Sequence, residues 1–540
     1  MKILHPRGVG KIVGTYLLTM REHLQRLYDN RVWLFGLWLG VLLPGQIANA
    51  QESDPLFAKI ATQAADLASR PYVAPVSQLP APLKDLDFDR YRKIQFHKDQ
   101  ALWRNETSFE VEFFHRGFLY VTPVTIHVVE GKDTRPLDFN KGMFSYKDLN
   151  IDPAALPNDM GFAGFRIHYP LNRPDYKDEV AVFLGASYFR ILSRNQAYGA
   201  SARGIAIDTA EASGEEFPAF RDFWLVKPDP EANVLIIYAL LDGPSLTGAY
   251  RFDIHPGAKT AVSVNTRLFF RKKVKRLGIA PLTSMFLYGE NITQVFDDIR
   301  PEVHDSDGLL IHNNAEEWIW RPLINPRSLR VSSFLDEDPQ GFGLIQRDRN
   351  FENYLDIGVR FEQQPSFWVK PEGGAWNQGS IQLIEIPSRE DINDNIVAFW
   401  SPKVSPQPGG TLNYRYTLYA ESDHKPETIG RVTRTRVGWA GQAGQKKKPP
   451  KTHRRFIVEF SGDGLAALDA KQPVKVELAT TNSHISDLAV TKVPQTGAWR
   501  VAFQLRPKGE QTADIRLFLT LRKERLTETW NYLWSPNDIP

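Results

Sequence analysis

Cysteine is absent from all 540 residues, which excludes a thiol nucleophile, a thiolate zinc site and any disulfide. A chain this long without covalent staples draws its stability from a large core, and its length suits two or three domains. Long apolar runs are missing too: Val32–Leu43 is short of the roughly 20 residues that a membrane span needs. Charge of one sign is scarce. The net charge is +3, and Lys2, Arg7, Lys11, Arg21, Arg26 and Arg31 stand against only Glu22 and Asp29 in the first 31 residues. Beyond that segment the chain is near neutral, so nothing calls for nucleic acid or an anionic membrane surface as partner. No phosphate-cradling glycine loop and no HExxH pair occurs. His304, Asp305 and Asp307 could in principle ligate a metal, but neighbouring residues of a strand face opposite ways. No metal and no other cofactor is expected.

The N-terminal residues have the layout of an export signal. A basic stretch precedes the apolar run Val32–Leu43, and Ala48-Asn49-Ala50 supplies small residues at the spacing signal peptidase requires. Residues 1–50 are therefore read as a signal peptide cleaved near Ala50, with an uncleaved anchor as the alternative. No twin-arginine pair precedes the run, which points to the general secretory route and a periplasmic protein.

The remainder reads as all-β. Phe109–Phe114, Leu119–Val129, Ala181–Leu184, Val234–Tyr238, Gln382–Ile386 and Leu412–Leu418 are short runs of β-branched and aromatic residues. Thirty-seven glycines and thirty-seven prolines suit the many turns between such strands. The one convincing helix is 56–70, stopped by Pro71. Residues 441–455 (GQAGQKKKPPKTHRR) are polar and basic without periodicity, which predicts an exposed loop or hinge. The strands that follow have the size and rhythm of an immunoglobulin-like sandwich. The predicted organisation is a large β-sandwich over 51–425 and a small one over 426–540.

Two acidic clusters carry the functional signal. Pro301-Glu-Val-His-Asp-Ser-Asp-Gly308 places three acids and a histidine together, with Glu316-Glu-Trp-Ile-Trp-Arg-Pro322 close behind. Glu390-Asp-Ile-Asn-Asp-Asn395 is the second cluster. Carboxylates transfer protons and indole faces stack on pyranose rings, so these are the residue types that hold or cut a sugar chain. The bland reading, that these acids only bond their own turns, stays open on the residues alone.

These stretches, with Gly341–Phe351, Gly379–Pro387, Asn393–Trp400, Tyr120–Ile126, Gly161–Arg166 and Pro281–Phe286, resemble the periplasmic glucan biosynthesis protein G/D family (OpgG/MdoG type, with OpgD/MdoD as the close relative). The resemblance covers nearly the whole exported chain. It implies a galactose-mutarotase-like large sandwich followed by an immunoglobulin-like domain. It also implies a role in making osmoregulated periplasmic glucans with a β-1,2-linked glucose backbone, beside an inner-membrane glucan synthase. Members of the family act as inverting endo-β-1,2-glucanases; the general base maps onto Asp305 and the general acid onto Asp394. Glu385 and Asp391 are the neighbouring carboxylates expected to raise the acid's pKa.

The chain departs from the family's pattern beside that pair. A tyrosine and an arginine that relay a proton to the base map onto Phe361 and Gln364, and a threonine before the acid maps onto Ile392. Phenylalanine passes no proton and glutamine carries no charge. A glucan-binding assembly factor without hydrolysis is therefore the alternative to a hydrolase. For binding, Trp318, Trp320, Trp368, Trp376 and Trp400, with Tyr354, are candidate stacking platforms, and Arg321, Arg347 and Arg349 candidate hydroxyl ligands. Core packing is the competing reading for each tryptophan. Oligomeric state is left open, a homodimer included.

Overall fold

The computed structural model describes residues 54–539 except Ser77 and 293–295; the predicted signal peptide lies outside them. No described helix is long and apolar enough to cross a membrane. The leading helix, Pro55–Ala68, starts where Asp54 accepts from the Phe57 N–H at 3.0 Å and Pro55 occupies the first turn. Phe57, Ile60, Ala61 and Ala64 repeat at helical spacing and bury against Trp224, Tyr238 and Leu240. Asp54 also ties the helix to its sheet, accepting from the Tyr238 hydroxyl at 2.8 Å and from Arg251 at 2.7 Å.

The rest is β-sheet. Ten strands form one sheet, running from Glu110–Phe114 through Gly164–Arg173, Leu277–Ser284 and Ile396–Pro402 to Gly379–Glu385 and Arg330–Asp336. A fifteen-stranded sheet faces it, and the long strands Leu246–His255, Thr260–Phe270 and Thr411–Glu421 lie at its centre. Thr260–Phe270 shows the reason: its residues alternate between buried and half-exposed along nearly the whole strand. The buried set meets Phe165, Phe183 and Phe189 of the other sheet in one aromatic core. Five of the six predicted runs fall within or almost coincide with strands. In Leu119–Val129 the strand begins only at Thr125, because residues 117–120 close a turn.

After residue 426 a four-stranded sheet forms, ordered Arg431–Trp439, Arg454–Ser461, Trp499–Pro507, Ser483–Lys492. It packs through Phe456, Val458, Trp499 and Phe503 against Ile515, Leu517 and Trp530. The strand Thr529–Trp534 runs parallel to Trp318–Pro322, matching Ile319 with Thr529 and Trp320 with Trp530. Through that pairing the later strands join the fifteen-stranded sheet, and their core takes in Leu310, Trp320, Ile345 and Trp368. Residues 441–453 form a mostly exposed loop, whereas Arg454 and Arg455, at the end of the predicted stretch, belong to the strand Arg454–Ser461 and Arg454 is buried. The loop is not a hinge between bodies, because the strands on either side pair with each other, Trp439 opposite Arg454. Lys451 sits 4.0 Å from the Trp439 ring centre and holds the loop to its strand.

Candidate functional site

Asp305 and Asp394 come from opposite sheets. Asp305 follows the short strand Val303–His304 and precedes Gly308–His312 of the fifteen-stranded sheet; Asp394 stands two residues before Ile396–Pro402 of the ten-stranded sheet. The segment Met285–Phe286 fastens both. The Asp305 N–H donates to the Met285 carbonyl at 2.8 Å. The Asn395 side chain accepts from the Phe286 N–H at 2.8 Å and donates to the Phe286 and Ile386 carbonyls, each at 3.0 Å. Asn395 thus spends its whole side chain on placing the residue before it.

Burial pushes the Asp305 carboxyl up to about 7, and the facing charge of Asp394 adds to the rise. A hydrogen bond from Gln364, then Arg190 and His304, pull the other way. Asp394 is raised by the protein packed around it, against the pull of Arg190 and Arg203. Asp394 is nevertheless exposed to solvent, whereas Asp305 is buried. Gln364 is seated beside Asp305 because Gly199 leaves room: a Cβ at 199 would lie 2.5 Å from the Gln364 Oε1. Arg190 and Arg203 had no local pattern to single them out; they arrive from the strands Tyr188–Ile191 and Ser201–Arg203. Arg203 is held by Glu215 at 2.6 Å and by Thr283 at 2.9 Å.

The other predicted residues lie elsewhere. Phe361 is buried against Tyr354, itself fully buried, with ring centres 5.6 Å apart. Trp376 and Trp400 are in the main core, and Trp320 and Trp368 in the second. Trp318 is half-buried on the same face as Trp320, stacked on His312 at 4.2 Å. Arg321 is sealed beside Glu385, 3.6 Å away, with Asn531 at 3.1 Å. Burial raises the Glu385 pKa, and the same carboxylate accepts from the Ile324 N–H at 2.9 Å. Arg347 pairs with Glu528 at 2.6 Å and lies 3.5 Å from the Trp320 ring centre. Arg349 donates to the carbonyls of Glu362, Gln364 and Ser422. Asp391 accepts from Arg300 at 2.9 Å, and Arg300 also engages Asp298 and Asp356. The structure brings Gln364 to the carboxylate pair and commits the arginines to protein partners.

The other side of the same motif forms a second cluster. Glu302, His304 and Asp307 place ligand-type atoms within 4.8 Å of one another. His304 donates to Glu302 at 3.0 Å and to Gln346 at 3.1 Å. Desolvation alone would lower its pKa; Asp307 and Glu302 outweigh that and raise it to about 9. As it stands the histidinium is held between the two acids, and the cluster would hold a metal cation only if His304 gave up those bonds.

Two carboxyl groups offered from opposing walls are the arrangement that glycoside hydrolysis requires. The chain belongs to the periplasmic glucan biosynthesis protein family: the profile described as "Periplasmic glucan biosynthesis protein, MdoG" matches residues 56–534. Among similar proteins is glucans biosynthesis protein G of Ralstonia nicotianae, 47% identical over 88% of this chain and 95% of its own length. The protein G of Bradyrhizobium diazoefficiens is 44% identical over 87% and 91%. The probable glucans biosynthesis protein D of Shewanella oneidensis is 41% identical over 96% of both.

Proposed function

We propose that this chain works in the periplasm in glucan biosynthesis, binding the β-1,2-linked polymer over the recess between the two sheets. There Asp394 and Asp305 give it a slow inverting hydrolase activity. The observation that carries this reading is the pair itself: two raised carboxyls brought together from segments beside the two sheets, one exposed and one buried. Asp394, protonated, gives its proton to the glycosidic oxygen as the bond to the anomeric carbon breaks. Water attacks that carbon from the opposite face, and its proton passes toward ionised Asp305. With a pKa of about 7, Asp305 is a base for only part of the population at neutral pH, and that part grows as pH climbs through 7. The general secretory export read from residues 1–50 and delivery of polymer by a membrane synthase fit this role.

A second reading, a glucan-binding assembly factor that does not cut, is favoured by Phe361 and Gln364. The first is packed into the core and the second donates only a hydrogen bond where a proton relay would run. Incubating the exported chain with linear β-1,2-glucan and following reducing ends, beside the Asp394→Asn variant, separates them. Slow cleavage lost in the variant supports the hydrolase. Saturable binding without cleavage supports the assembly factor, and neither result would sink both.

A further inference from the structure

A second recess, of about 960 Å³, opens between the loops after Leu287 and Ile324, the Pro387–Arg389 loop and the strand Thr529–Trp534. The recess does not include Asp305 or Asp394. Arg327, Arg389 and Arg454 line it, against one carboxylate, Asp538, which already pairs with Arg330. Ser388 and Asn325 add polar groups, and Tyr532 and Trp534 an aromatic wall.

Arg454 is the anomaly. Four arginines are buried among the described residues: Arg116, Arg203, Arg321 and Arg454. Three are met by the protein. Arg116 donates to the carbonyls of Val121 and Met160, Arg203 pairs with Glu215, and Arg321, whose Nε also lacks a hydrogen bond, has the counter-charge of Glu385 and a bond to Asn531. Arg454 is 8% exposed, its Nε has no hydrogen-bond partner, and among the described residues no carboxylate pairs with it. A guanidinium taken out of water without a counter-charge is unfavourable unless something neutralises it. Guanidinium matches the planar or tetrahedral oxygens of carboxylate and phosphate, and the aromatic wall suits a sugar's apolar face.

We infer that this recess is a binding site for an oxyanion, phosphate or carboxylate, carried on a sugar-sized body, with Arg454 at its floor and Arg389 at its rim. The volume is ample for such a ligand, which falls in the usual range of small-molecule sites. The site is independent of whether Asp305 and Asp394 cleave glucan.

Calorimetric titration of the full chain at low salt with glucose 6-phosphate, glucuronate and glucose tests this. One or both anionic sugars are expected to bind saturably and glucose not, and the comparison of the two anions tells phosphate from carboxylate. Arg454→Gln is expected to weaken that binding about tenfold or more, while the thermal midpoint of the unliganded protein stays the same or rises, since an uncompensated buried charge is gone. Arg389→Ala, at an exposed position, is expected to weaken binding several-fold and keeps the test decisive if Arg454→Gln fails to fold. Equal binding of all three sugars, no binding of either anion, or full-strength binding by both variants overturns the inference.

Discussion

The segment 302–307 carries two clusters of opposite electrostatic character, one on each face. On one face Asp305 meets Asp394, like charge against like, and both carboxyls are raised. On the other, Glu302 and Asp307 enclose His304, which is held protonated. The turn after the strand Val303–His304 separates them: it brings Asp307 back beside Glu302 and His304 while Asp305 turns away. The face with a cation between its acids holds them ionised beside it, whereas the face without one shifts its carboxyls toward neutral pH.

The sharpest way to break this contrast is to remove the histidine. His304→Ala leaves two acids facing each other without a cation, and about 3–5 kcal/mol of stability should be lost, read as a lowered denaturant midpoint. The adjacent change has the opposite sign. Asp305→Asn removes a buried charge whose folded pKa is raised, and about 2–4 kcal/mol should be gained at pH 8. Destabilisation by Asp305→Asn at that pH would refute the account of the recess.

Titration sharpens the same pair. Asp305 binds its proton more tightly folded than unfolded, so it makes stability fall between about pH 4 and 7. His304 is raised as well, so its contribution is complete below its ordinary value of 6.5 and is lost as pH climbs through about 9. Unfolding of the wild-type chain, Asp305→Asn and His304→Ala across pH 4–10 should show each variant missing its own window. The smallest effect concerns Gln364. Gln364→Arg places a cation beside Asp305 and should lower the midpoint of the pH–rate curve by about one pH unit; an unmoved midpoint would show that Gln364 does not set the base.

Legibility followed distance along the chain. Helix 55–68 and most strands were readable because their signals are local: a cap, a proline, a period of two. Asp305 and Asp394 were singled out only through the resemblance carried by long motifs, and the fold puts the two close enough for Asp394 to raise the Asp305 carboxyl. The tryptophans were not, because an indole in a sandwich core and an indole on a cleft wall occupy the same alternating positions; Trp400 and Trp376 are core. Arg347 looked available for sugar hydroxyls because its partner, Glu528, lies in a part of the sequence with no visible relation to it. Arg190 and Arg203, which bear on the acid, sit in strands with no motif at all. The pairing of Thr529–Trp534 with Trp318–Pro322 left no trace in composition either, since parallel partners need no turn between them.

That last pairing has a consequence for the order in which the molecule can be assembled. The strand at 318–322 pairs on one side with the nearby Gly308–His312, but finds its partner on the other side only when residues some two hundred positions later have arrived. Until then it offers an open edge bearing two indoles, the kind of edge that recruits other chains. A nascent or interrupted chain ending before Thr529 should therefore associate with its own copies at that edge, and substitution of Ile319 by lysine should suppress the association, measurable by light scattering during refolding.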